Sequence, residues 1–101
     1  MSVRFEQGDI LRIEHFRFPL LVVSKNFFNE AEQAVCCPVI QDADPGPLHI
    51  KIHGTEISGT VFCEQLRYFD LRCRGYTKLD HLDLRSIMDI TDAVQGVFDY
   101  Y

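Results

Sequence analysis

Arg67 and Asp70 stand three residues apart at the end of the run Thr60-Val61-Phe62-Cys63-Glu64-Gln65-Leu66, and Arg72, Arg74 and Lys78 follow closely. A guanidinium is a planar, permanently charged fork that matches a pair of phosphate oxygens. A neighbouring carboxylate can orient such a fork or accept a proton. The plainer alternative is a solvated turn whose ion pairs contribute roughly 0–1 kcal/mol. His15 is a second candidate, because an imidazole changes charge near neutral pH. A plain surface histidine is the alternative there. His49 and His53 share one face of an alternating segment, but two histidines alone do not make a metal site. His81 has no stronger claim.

Four cysteines occur, Cys36, Cys37, Cys63 and Cys73, with no C-x-x-C pair. Cys36 and Cys37 are adjacent, so in a strand they point to opposite faces. They read as small buried hydrophobes in a reducing compartment, and no metal or other cofactor is expected. The 101 residues suit one domain with one core, 47% hydrophobic and 25% charged, an ordinary globular balance. No apolar run approaches the roughly 20 residues needed to cross a bilayer. The opening Met-Ser-Val-Arg-Phe-Glu-Gln-Gly-Asp resembles neither a signal nor a transit peptide, so a cytoplasmic location is expected.

The formal net charge of −5 argues against broad, sequence-independent nucleic-acid binding. The charge is uneven, however. Residues 63–78 carry Arg67, Arg72, Arg74 and Lys78 against Glu64 and Asp70, a balance of +2. Residues 80–101 carry five Asp against one Arg, a balance of −4. A small basic site on an acidic protein fits this distribution.

The elements that position these residues follow from hydrophobic period. Strands are expected at 10–14, 20–24 (after Pro19), 33–40 and 48–53, with a long central strand over 60–70 and a short one over 77–79. Gly8-Asp9, Asp42 to Pro47 and Gly54-Thr55-Glu56 read as turns or loops. Asn26 is placed to cap a helical turn. Leu84, Ile87, Ile90, Val94, Val97 and Phe98 recur at helical spacing, with Asp83 as the cap and Asp99 at the unfavourable end of the dipole. The sum is a strongly bent antiparallel sheet closed by one C-terminal helix, with edges that a homodimer would cover.

These elements, in order, resemble the MazF/PemK toxins of bacterial toxin–antitoxin pairs. Gly8-Asp9-Ile10 is similar to their opening G-D-I. Pro19-Leu20-Leu21-Val22-Val23-Ser24 followed by Asn29 is similar to their P-x-L-V-V-S and later Asn. Cys37-Pro38-Val39 matches a strand-three V-P-I, and Leu79 to Asp83 an L-x-H-L-D. The most specific match is Glu64-Gln65-Leu66-Arg67 with Asp70, to E-Q-I-R-T-I-D. The resemblance implies a mainly β fold, a small SH3-like bent barrel plus a C-terminal α-helix of the CcdB/MazF type, spanning 1–101 as one domain. It implies a homodimer, an antitoxin partner, and metal-independent cleavage of single-stranded RNA.

On that resemblance Arg67, Asp70, Arg17 and His15 are the expected catalytic residues, and Gln65, Arg72 and Arg74 the expected RNA contacts. Two departures fall on the chemistry. Phe18 stands where the family places an Arg before the proline, with Arg17 one step back. In a strand that step turns a side chain to the opposite face, which a bulge would restore. Ile40 stands where the family has a hydroxyl, and only a few residues separate Ile13 from Pro19 where relatives carry a longer loop. The alternative reading is therefore a protein of this fold that acts by binding an antitoxin or, in the CcdB manner, gyrase. The tail Asp99-Tyr100-Tyr101 lacks the W-G-I ending of gyrase poisons. An unrelated small β-domain is the third reading.

Overall fold

Gln33–Ile40 is an eight-residue run of Ala, Val, Cys, Pro and Ile that extends as the strand on which the others assemble. In the computed structural model, which describes residues 4–98, the elements run β1 (Asp9–Ile13), β2 (Leu20–Val22), α1 (Asn26–Asn29), β3 (Gln33–Ile40), β4 (His49–His53), β5 (Ser58–Phe62), β6 (Arg67–Asp70), β7 (Tyr76–His81) and α2 (Leu84–Phe98). Every sheet pairing is antiparallel, in the order β4-β5-β3-β2-β1-β7, with β6 also on β3. The expected sheet, its bend and its terminal helix are all present. Asp99 and the rest of the tail, like residues 1–3 of the lead-in, lie outside the described residues.

The long strand expected over 60–70 is two strands. Val61 opposes Val39, but Arg67 opposes Cys36, so five residues (62–66) face only two (37 and 38). The excess loops out at Cys63 to Leu66, fixed by Gln65 N–H donating to the Phe62 carbonyl at 3.1 Å and Cys63 N–H to that of Leu48 at 2.8 Å. An odd excess exchanges the two faces of the strand. Val61 and Cys63 therefore enter one core, while Phe69 enters the other.

Those two cores lie on opposite faces of β3. One contains Ile10, Leu21, Val39 and Ile52 and is covered by α2 through Ile87, Ile90, Ala93 and Val94. The other contains Leu11, Leu20, Ala34 and Phe69 and is covered by Phe16 and Tyr76. Asp83 caps α2 as expected, its Oδ1 accepting from Ser86 N–H at 2.8 Å. Leu84 and Phe98 leave the expected apolar stripe exposed, at 71% and 70%, so only the middle of the helix is packed.

Gly8-Asp9 is not a surface turn. Asp9 is fully buried at the start of β1, where its carboxylate accepts from Glu6 N–H at 2.8 Å and meets His81 Nδ1 at 2.6 Å and Lys78 Nζ at 3.2 Å. Two potential cations from β7 thus compensate a charge that burial alone would make costly. Gly8, at φ +96°, lets the chain pass against Ile87 of the helix. Asn26 does not cap α1; Lys25 holds that position, and the Asn26 side chain accepts from Gln7 N–H at 2.8 Å instead. Asn29 is buried and exchanges hydrogen bonds with Ser24, whose hydroxyl also accepts from Val35 N–H.

The sheet does not close by a backbone ladder, so "barrel" describes its bend only. Its two edges are clasped by a side chain instead. The Asp80 carboxylate of β7 accepts from Glu56 N–H at 2.7 Å and Ile57 N–H at 2.9 Å, in the turn between β4 and β5. Gly54 in that turn has no room for a Cβ against the same carboxylate. Burial opposes the Asp80 charge, but the hydrogen bonds from Glu56, Ile57 and His81 outweigh it and lower its pKa.

A depressed folded pKa means that this clasp contributes above the unfolded value and is lost as pH falls through the folded one. Asp80→Ala is expected to lower stability at pH 7 by about 1–3 kcal/mol in urea unfolding, since it strands two backbone donors. The variant should also lose less stability than the parent between about pH 5 and pH 3. A second expectation concerns the thiols. Burial pushes Cys36 up to about 12 and, with help from Glu64, Cys63 to about 11, and raises Cys37 further, whereas Cys73 is exposed. Native protein treated with iodoacetamide near neutral pH should gain one adduct, at Cys73, by mass spectrometry.

Candidate nucleic-acid interface

The connection from β1 to β2 is short, and it turns at His15, which adopts a left-handed φ of 67°. Histidine is among the few non-glycine residues enriched in that region. The next residue, Phe16, drops onto the second core and meets Phe69 edge to face at 4.9 Å. Its ring then serves as a floor for two guanidinium groups. Arg67 lies 5.1 Å from the ring centre and Arg74 5.6 Å, and Arg74 also covers Phe69. At these distances the ring face attracts the guanidinium charge electrostatically.

Arg67 reaches this floor because of the odd excess before β6. It shares a face with Phe69, whereas Tyr68 and Asp70 take the other. The resulting cavity, about 290 Å³, is lined by His15, Phe16, Arg17, Phe18, Leu20, Pro38, Gln65 and Arg67. It brings together His15, Arg17, Gln65 and Arg67, four of the seven expected site residues. Arg74 borders it through Phe16.

Asp70 and Arg72 are placed differently. The expected pairing of Asp70 with Arg67 is not made. Asp70 is gripped by Arg72 through a bidentate contact of 3.0 and 2.8 Å, and by the Arg72 backbone N–H at 3.1 Å. These hydrogen bonds hold its carboxyl down to about 2. Neither residue lines the cavity. Glu64, next to Gln65, is likewise occupied elsewhere, 3.1 Å from His49 Nε2, and His49 in turn stacks on Phe62 at 3.8 Å.

Arg17 lies in a bend rather than a strand, so the strict alternation that would turn it from the Phe18 side does not apply. It lines the first cavity and a second one of about 350 Å³, together with Arg12, Phe18, Pro19, Val39, Ile40, Gln41, Ile57 and Ser58. Phe18 and Ile40, the two departures from the family pattern, thus face one cavity with two arginines. Although the chain carries 15 Asp and Glu, none lines either cavity. Sequence reasoning missed Phe16, Arg12 and Ser58. The interleaving of His15-Phe16-Arg17-Phe18 was the available signal, since alternating aromatic and basic groups suit single-stranded nucleic acid.

Among the described residues, Glu6, Asp9 and His81 bring ligand-type atoms within 4.8 Å of one another. The Asp9 oxygen that would meet a cation already faces His81 Nδ1 and Lys78 Nζ, so a metal would have to displace the lysine.

The sheet, the helix and the acid-free basic cavities define a small toxin-like fold with an anion-receptive face. The chain belongs to the PemK-like, MazF-like toxins of type II toxin–antitoxin systems, whose family model matches residues 6–98. No curated protein sequence matches it. Among solved structures it is similar to the MazE–MazF complex of Deinococcus radiodurans (form II), at 20% identity over 100% of both chains with a TM-score of 0.84. It is also similar to MazF of Deinococcus radiodurans, at 19% identity over 97% of this chain and 98% of that one, TM-score 0.82. A third is a mycobacterial endoribonuclease in complex with its cognate antitoxin, at 16% identity over 93% and 94%, TM-score 0.80. Those identities bear on the fold.

The Asp70–Arg72 pair is directly measurable. In an NMR titration of side-chain carboxyl carbons, Asp70 should titrate near about 2, and Arg72→Gln should return it toward the ordinary value of about 3.9.

Proposed function

We propose that this toxin cleaves single-stranded RNA without a metal or other cofactor, at the cavity floored by Phe16. The observation that carries the reading is the convergence of Arg17, Arg67 and His15 on one cavity that no carboxylate lines. The 2′-hydroxyl attacks the adjacent phosphorus, a new O–P bond forms, and the bond to the 5′ oxygen breaks. One proton leaves the 2′-hydroxyl and one is delivered to the 5′ oxygen, giving a cyclic phosphate and a free 5′-hydroxyl. Arg17 and Arg67 neutralise the phosphorane, where charge develops most. His15, the imidazole in that lining, exchanges protons at the reacting oxygens. Asp70 is the weaker proton acceptor, being on the opposite strand face and held near 2 by Arg72. Gln65 and Arg74 contact the RNA at the rim, and Arg72 adds positive charge beyond it.

In this reading the toxin works in the cytoplasm as a homodimer and is silenced by an antitoxin protein; two of the similar structures are toxin–antitoxin complexes. Among the described residues no helix is long and apolar enough to cross a membrane.

Purified protein incubated with a long unstructured RNA in EDTA is expected to yield fragments ending in cyclic phosphate. Arg67→Ala should slow cleavage by about 10²–10³-fold. Full activity of that variant would remove Arg67 from the mechanism. RNA left intact by the wild type would favour the second reading, a protein that grips an antitoxin or gyrase. Phe18 and Ile40, both apolar where the family places polar groups, are the observation on that side.

A further inference from the structure

β4 ends the sheet order and pairs with β5 alone. The direction of its main-chain groups follows from the bonds at its two ends. Cys63 N–H donates to the Leu48 carbonyl at 2.8 Å, and Gly54 N–H donates to that of Ile57 at 2.8 Å. Antiparallel pairs alternate, so Leu48, Ile50, Ile52 and Gly54 turn their main-chain groups toward β5. His49, Lys51 and His53 turn theirs away. At His49 both groups are used, the N–H donating to the Gly46 carbonyl at 3.1 Å and the carbonyl accepting from Gly46 N–H at 3.0 Å. Beside Lys51 and His53 no further strand lies among the described residues. Two N–H donors and two carbonyls, spaced as along one strand, are thus left unpaired at the sheet edge.

The side chains of β4 decide what such an edge accepts. His49, Lys51 and His53 project from one face, opposite Phe62, Thr60 and Ser58, none of them acidic. Lys51 and His53 are exposed, and no carboxylate pairs with either among the described residues. A second copy of this chain is a poor occupant. Antiparallel pairing centred on Ile52 would set Lys51 of each copy against His53 of the other, with no carboxylate between them. A lysine at an edge opposes pairing between like chains. It favours a strand that carries carboxylates at the facing positions. On the other face Ile52 is buried and Ile50 packs against the helix-covered core. An incoming strand with an apolar residue between two acidic ones matches both faces.

We propose that the free edge of β4 takes up an extended acidic segment of a partner protein as an added strand. Its main chain exchanges N–H and carbonyl bonds with Lys51 and His53. Two of its carboxylates, one residue apart, meet the Lys51 ammonium and the His53 ring. Main-chain bonds supply the attachment, and the alternating side chains supply the selection. No residue of β4 lines the Phe16-floored cavity, so the inference stands apart from the RNA reading.

The test uses the isotope-labelled full chain and a blocked heptapeptide in which Asp alternates with Val. NMR titration should shift the Lys51 and His53 amide signals saturably, with hydrogen exchange slowed at both. Methylating the main-chain nitrogens of the peptide's Asp residues removes its ladder donors and should weaken binding at least about fivefold. Lys51→Glu should reverse the preference, binding a peptide with Lys in place of Asp better than the original. His53→Pro deletes an edge donor at a kind of position where proline is tolerated. It should weaken binding several-fold while circular dichroism shows the fold intact; if it does not fold, the methylated peptide carries the same test.

Unmoved Lys51 and His53 amides at millimolar peptide overturn the proposal, as does a methylated peptide that binds as well as the parent. If concentrating the protein alone produces the same shifts, the edge belongs to a second copy. If an unstructured RNA oligonucleotide produces them and the peptide does not, the face belongs to RNA. Either result also overturns the acidic-strand assignment.

Discussion

One strand, β3, is shared between two pairings along a single edge, and the rest of the architecture answers to that constraint. Its first half takes β6 and its second half takes β5, while β2 lies along the other side. A strand with two successive partners on one edge needs slack between them, and residues 62–66 supply it. Because the slack is odd, the face that carries Val61 into the helix-covered core becomes the face that carries Arg67 toward Phe16. A continuous strand would have sent Arg67 into the core under α2, where an unpaired guanidinium is costly.

The same geometry sorts the charges. The protein is acidic overall, yet several of its carboxylates are drawn to structural tasks. Asp9 balances His81 and Lys78 inside the molecule, Asp80 clasps the open edges of the sheet, Asp83 caps the helix, and Asp70 holds Arg72. Arginines 12, 17, 67 and 74 are collected around Phe16 and Phe18. Positive groups gathered by low-polarity walls focus field toward an anion more effectively than the net charge suggests. An acidic protein can therefore present a local basic face without binding nucleic acid everywhere.

Much of this was legible in the residues. The alternation of His49 to His53, the continuous run of β3 and the three-to-four spacing around Ile87, Ile90 and Val94 are periodic signals that local sterics and burial enforce. The family motifs led to Arg67, Gln65 and Arg17, which do converge. Other features were not legible. Asp9 beside Gly8 reads as a turn, because its partners stand some seventy positions away on β7. Asp70 read as a partner for Arg67, because three positions in sequence look like proximity while in a strand they mean opposite faces.

The amino-acid sequence by itself determined the kinds of element, their order, the apolar faces available for burial and the family to which the chain belongs. Tertiary structure alone decided which charged groups meet. That division has a physical cause: periodic burial is a local property of the backbone, whereas the register slip before β6 and the clasp at Asp80 exist only once distant strands share an edge. The position of Arg67 over the Phe16 floor is a consequence of that shared edge.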